Sequence, residues 1–143
     1  MSQGTILITG GAGGLGTSCA YALKDHRIVI ADHAQEPVDR AVSDLKAQGI
    51  EAVGVACDIT DPAAVRRLRE FTAKQADFKG MVHTAGVSGT VGDPRKVFDI
   101  NLSATATIVD EFHVLARPGS AFVLFGSMMG HTVPPDPRYD GAL

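Results

Sequence analysis

Eight consecutive residues, Thr9-Gly10-Gly11-Ala12-Gly13-Gly14-Leu15-Gly16, constrain this chain more than any others, because five of them are glycine. They follow Thr5-Ile6-Leu7-Ile8, a largely apolar run with β-branched residues, and they precede helical spacing at Leu15, Cys19 and Leu23. The order is strand, glycine turn, helix. A sharp turn out of a buried strand needs positive φ angles and a backbone that a ligand can approach, and glycine allows both at the least steric cost. Where the helix begins, unpaired N–H groups and the helix dipole favour a phosphate, so the stretch reads as a pyrophosphate cradle. The plainer alternative is a tight βα loop with nothing bound.

At 143 residues the chain is expected to form one domain, residues 1–143, with room for a real core. Its 45% hydrophobic and 20% charged residues describe a globular protein. A net charge of −3 gives no footprint for nucleic acid or an anionic membrane, so neither partner is expected. The first basic residue is Lys24, and no apolar run approaches the ~20 residues of a spanning helix. Cys19 and Cys57 read as small buried thiols, which fits a reducing, cytoplasmic setting. His26, His33, His83, His113 and His131 show no paired ligand spacing, and no metal is expected.

A helix over 14–24 leads to Arg27-Ile28-Val29-Ile30-Ala31, closed by Asp32, which completes a βαβ unit. An acid at this point sits where an adenosine ribose would lie and can accept from both of its hydroxyls. The same charge repels a 2′-phosphate. His33 and Ala34 follow it, no arginine stands beside it and Gly13 brings no basic side chain, so NAD is expected rather than NADP. The competing reading has Asp32 capping its own loop. Next come a helix over 37–48 ending at Gly49, a strand at Ala52-Val53-Gly54-Val55, and a helix opened by Asp61-Pro62. A fourth strand is expected over 80–86, a long amphipathic helix over 95–116, and a fifth strand at Ala121-Phe122-Val123-Leu124-Phe125. The fold class is α/β: a Rossmann-like, doubly wound parallel sheet of five strands in the order 3-2-1-4-5.

The turn runs Thr-Gly, three residues, Gly, one residue, Gly, which is neither the usual dinucleotide fingerprint nor a P-loop. That spacing resembles the short-chain dehydrogenase/reductase family, and the resemblance covers the first part of the family pattern. It implies an oxidoreductase moving hydride between NAD and a secondary alcohol or ketone, with hydroxysteroids among the substrates of some relatives. It assigns cofactor binding to Gly10, Gly14, Leu15, Gly16, Asp32, Asp58, Ile59, Ala85 and Gly86. Asp58 and Ile59 would lie against the adenine, although an Asp in a loop also makes an Asx turn readily. His83 and Thr84 replace the two asparagines that the family places before Ala85-Gly86, and His83 reads as a satisfied core histidine. Asn101, in Asp99-Ile100-Asn101-Leu102, would bend its helix and hold a water of the proton relay, or else simply face solvent. Ser127 would hydrogen-bond the substrate oxygen.

The family completes its chemistry with Tyr-x-x-x-Lys. Here the residue four beyond Tyr139 is Leu143, and Pro134, Pro135 and Pro137 disfavour a helix, so Tyr139 is given no acid/base role. The fifth strand would be an uncovered apolar edge. The chain is therefore expected to be part of a longer protein or to form a homo-oligomer that covers that edge. The alternative function is a non-catalytic dinucleotide-binding module; a methyltransferase is disfavoured by the Thr-Gly spacing and by Ser127 with Asn101.

Overall fold

The computed structural model describes residues 3–75, 77–89, 92–128, 132 and 134. Five strands, β1 (Thr5–Thr9), β2 (Arg27–Asp32), β3 (Ala52–Ala56), β4 (Phe78–His83) and β5 (Ala121–Leu124), form one parallel sheet in the order β3-β2-β1-β4-β5. The crossovers carry α1 (Gly14–Ala22), α2 (Gln35–Ala47) and α3 (Pro62–Ala73). The last connection carries α4 (Pro94–Phe98), a π-helical turn (Asp99–Ser103) and α5 (Ala104–His113).

The inner strands β1, β2 and β4 are apolar almost without interruption because both of their faces are covered, whereas most of β5 is exposed. Alternate side chains divide between two cores. Ile6, Ile8, Ile28 and Ile30 pack with Ala20 of α1 and with Val38 and Leu45 of α2. Leu7, Val29 and Met81 pack on the other face with Val65 and Leu68 of α3 and with Ile108 and Phe112 of α5. Phe78 joins this second core beside Phe112 and Phe122, with ring centroids about 6 Å apart. The expected fold class and strand order are both found.

Several expected boundaries differ. β4 begins at Phe78 and ends at His83, two residues earlier than expected at its start and three at its end. Burial of the Phe78 ring draws residue 78 into the sheet. Thr84 turns the chain out of it by donating its hydroxyl to the carbonyls of Thr9 at 2.8 Å and Gly10 at 3.2 Å. α2 begins at Gln35 rather than Pro37, so the proline falls in the first turn, where its missing N–H costs no intrahelical bond. α1 stops at Ala22, and its buried face is Gly16 and Ala20 rather than the Leu15, Cys19 and Leu23 stripe. Leu15 is 49% exposed, and Cys19 is half-buried, whereas Cys57 is buried as expected. The reason is contact distance: a Cβ at Gly16 would lie 2.4 Å from the Gly10 carbonyl oxygen, so only a bare backbone lets α1 sit against the turn.

Candidate functional site

The strands end together on one side of the sheet, and β1 is where successive crossovers change direction, to β2 on one side and to β4 on the other. Open α/β sheets bind ligands in the crevice at such a switch point. Here a cleft of about 810 Å³ opens there. Gly10 and Gly13 line it after β1, Asp32 and His33 at the end of β2, residues 57–60 after β3, and residues 84–87 after β4. Its far wall is the start of the last crossover, including Arg95, Lys96, Asp99 and Ile100.

The glycine turn is held by backbone geometry and one carboxylate. Gly10 has φ +70°, and a Cβ there would lie 2.6 Å from the Ala85 amide nitrogen, so β1 and β4 leave the sheet almost touching. Gly11 N–H donates to the Ala31 carbonyl at 3.1 Å. Beside it, Asp32 Oδ2 accepts from Ala12 N–H at 3.1 Å, which ties the turn to the end of β2. Asp32 Oδ1 accepts from the backbone N–H of His33 and meets its Nδ1, both at 2.8 Å. The carboxylate thus caps its own loop while also facing the cleft. At the start of α1, Gly13 stands at the N-cap, no side chain caps the helix, and no acid lies in its first turn. Orphan amides with no competing carboxylate suit an anion.

Asp58 makes the Asx-type turn: its Oδ1 accepts from Thr60 N–H at 2.9 Å and from the Thr60 hydroxyl at 2.7 Å. Those hydrogen bonds hold its carboxyl below the usual aspartate range, with smaller help from His33 and Lys96. Ile59 lines the cleft next to it. The Cys57 thiol is pushed up to about 11, by burial first and then by Asp58, so it is no nucleophile at neutral pH.

The sequence-predicted residues divide into two groups. The cleft brings together Gly10, Asp32, Asp58, Ile59, Ala85 and Gly86. Gly14, Leu15, Gly16, Asn101 and Ser127 are not among its lining residues. Gly16 lies buried beneath the turn, and Leu15 points its side chain away from the core. Asn101 neither packs into the core nor simply faces solvent. Its Oδ1 accepts from Val87 N–H at 2.9 Å, and its Nδ2 donates to the Val87 carbonyl at 2.8 Å. It stands in the middle of the π-helical turn, so the helix does change its winding there. Ser127 is exposed, three residues beyond β5 on the sheet end that bears the cleft. Tyr139 lies outside the described residues.

His83 is the satisfied core histidine expected, bonded through both ring nitrogens, with Thr9 Oγ1 at 2.6 Å and Thr105 Oγ1 at 2.9 Å. Burial pushes its imidazole below the ordinary histidine range. Sequence reasoning missed Arg95 and Lys96 as cleft residues. The signal was present: Asp93-Pro94 repeats the acid-proline helix start of Asp61-Pro62, and Asp93 caps α4 as Asp61 caps α3. That places both cations in the first turn of a short helix beside the cleft. Among the described residues, no group of three His, Cys, Asp or Glu could hold a metal, and no helix is long and apolar enough to cross a membrane.

Comparison with known proteins agrees with this geometry. Residues 4–136 match the short chain dehydrogenase family. The chain is 29% identical over 143 residues to tropinone reductase-like 3 of Erythroxylum coca, with 90% of this chain and 54% of that protein covered. It is 37% identical over 139 residues to the polyketide synthase GfsA of Streptomyces halstedii, with 89% of this chain but 2% of the synthase covered. Among solved structures, that of gox2181 superposes with a TM-score of 0.85 at 26% identity, over 95% of this chain and 58% of that one. The chain thus spans about half the length of the reductase and of the solved protein.

Proposed function

Because the chain belongs to the short-chain dehydrogenase family, whose members are oxidoreductases that bind a nicotinamide dinucleotide, we propose that its cleft selects NAD and serves hydride exchange with a secondary alcohol or ketone. The observation that carries this reading is one pairing. An uncapped helix start suited to a diphosphate lies beside a carboxylate already bonded to the same turn through Ala12. The diphosphate would rest at the start of α1, the adenosine ribose at Asp32, and the adenine between Asp58 and Ile59. The nicotinamide, which accepts or gives the hydride, would extend past Ala85 and Gly86 toward Ser127. Ser127 would bind the substrate oxygen, and Asn101 would support the proton relay. Hydroxysteroids are the first substrates to assay, and a second copy or further chain would cover the outer edge of β5.

Proton exchange with the alcohol falls to a Tyr-x-x-x-Lys pair in the family. Neither Tyr21 nor Tyr139 has a lysine four residues on. Without that pair the 143 residues should bind cofactor yet turn over slowly, since general acid/base catalysis is worth roughly 10²–10⁴-fold. This keeps a second reading in play, a dinucleotide-binding module without chemistry of its own.

Calorimetric titration of NAD and NADP into the chain and into Asp32→Ala tests the assignment. A hydrogen bond to a charged group is worth about 1.5–3 kcal/mol, so the variant should lose roughly 10- to 100-fold in NAD affinity. NADP should bind the unmodified chain at least about tenfold more weakly than NAD, and Asp32→Ala should narrow that gap, because the 2′-phosphate no longer meets a carboxylate. Equal affinity of the unmodified chain for both would refute the NAD assignment.

A further inference from the structure

Three side chains and one carbonyl form a directed line from the carboxyl ends of β1 and β4 to the last crossover, and their protons can be assigned from one end. Thr105 Oγ1 donates to the Asn101 main-chain carbonyl at 3.0 Å. A hydroxyl has a single proton, so Thr105 must accept in its 2.9 Å contact with His83 Nε2, which therefore carries the hydrogen. In a neutral imidazole Nδ1 is then bare and accepts from Thr9 Oγ1 at 2.6 Å. The order is Thr9 hydroxyl to His83, His83 to Thr105, and Thr105 to the Asn101 carbonyl. Every donor has one acceptor and none conflicts.

We propose that His83 is a positioning residue for Asn101: in its Nε2–H tautomer it fixes the Thr105 hydroxyl and so aims the Asn101 main-chain carbonyl at the centre of the π-helical turn. The carbonyl is otherwise located only by the backbone. Its side-chain amide is spent on Val87, outside the helix, and so holds the turn to the loop after β4 but does not orient the carbonyl. The histidine supplies the second anchor, from the sheet. Thr9 and His83 are both buried and His83 pairs with Thr9 across β1 and β4, so the anchor is as rigid as the sheet itself. Burial also keeps the ring neutral, which the tautomer requires. The consequence for a reaction rests on the proposed role of Asn101 in proton relay. The line of hydrogen bonds stands whether or not that role is real.

The test reads the bonds directly in the chain without cofactor, and an NAD titration run in parallel reports separately on the functional reading. In protein labelled at the histidine ring nitrogens, two-bond ¹⁵N correlation spectra should show His83 as a single Nε2–H tautomer. In carbonyl-labelled protein, Thr105→Val should shift the Asn101 carbonyl carbon upfield, and Thr105→Ser should restore it. His83→Phe, which leaves Thr105 in place, should shift the same carbon in the same direction, and adding Thr105→Val to it should give less than the sum. An Nδ1–H tautomer in the unmodified chain would overturn the inference without any variant having to fold. So would an Asn101 carbon that moves with Thr105→Val but not with His83→Phe.

Discussion

A buried imidazole makes stability depend on pH in a direction that can be worked out. Burial lowers the His83 pKa in the folded chain, so between that value and the ordinary histidine value near ~6.5 the unfolded chain binds the extra proton. Stability is then complete above about pH 7 and falls as pH drops through that window, by at most about 1.4 kcal/mol per pH unit for one proton. Urea midpoints measured from pH 7.5 to pH 5 should decline, and His83→Asn, which carries no such proton, should flatten the decline. The range avoids Asp58, whose depressed carboxyl gives up its contribution only as pH falls below the normal aspartate range. At this scale the sequence was most legible where backbone chemistry decides. Gly10 takes the positive φ that a turn demands, and Asp32 reaches the turn from the end of β2. It was least legible at Leu15, whose apolar character predicts burial. What decides there is the closeness of α1 to the turn, which reserves the inner face for Gly16 and Ala20.

The last crossover shows why an element can be foreseen while its winding cannot. Ala104, Ile108 and Phe112 repeat at helical spacing and are buried together in α5, as their pattern predicts. Extending that stripe backward reaches Ile100 and Val97, which are only half-buried, because the π-helical turn inserts an extra residue and rotates the preceding turn away from the sheet. Hydrophobic period carries no record of that step. The step depends on a contact with the loop after β4, made by the Asn101 amide on both backbone groups of Val87. Asn101→Ala removes both bonds. At about 0.5–1.5 kcal/mol each, the loss should be roughly 1–3 kcal/mol. The Val87 amide should exchange faster with deuterium. Asn101→Asp keeps an acceptor for that amide and should protect it, while leaving the Val87 carbonyl without its donor. If Val87 exchange in Asn101→Ala matches the unmodified chain, the amide clamp does not hold this turn.

For the molecule as a whole, the strand order was legible because five apolar runs alternate with helices, and a parallel sheet covered on both faces is the arrangement that buries such runs. The same logic exposes an imbalance. β3, at one end of the sheet, is covered by α2, whereas at the other end Val123 and Leu124 of β5, and Phe125 just after it, are each more than 40% exposed. Among the described residues, no strand pairs with the outer edge of β5. Phe98, Leu102 and Val114 of the last crossover are exposed as well, so exposed apolar side chains are not confined to the β5 end of the sheet. An apolar edge with unpaired backbone groups pairs readily with another chain. The 143-residue chain should therefore self-associate as its concentration rises, and sedimentation velocity should show the weight-average coefficient climbing. Leu124→Lys places a charge on that edge and should lower the tendency without reaching either core, leaving the urea midpoint within about 0.5 kcal/mol of the unmodified chain. A lysine variant that associates as strongly as the parent would mean that contacts elsewhere drive assembly. The exposed side chains of Phe98 and Val114 on the last crossover would then be the ones to alter next.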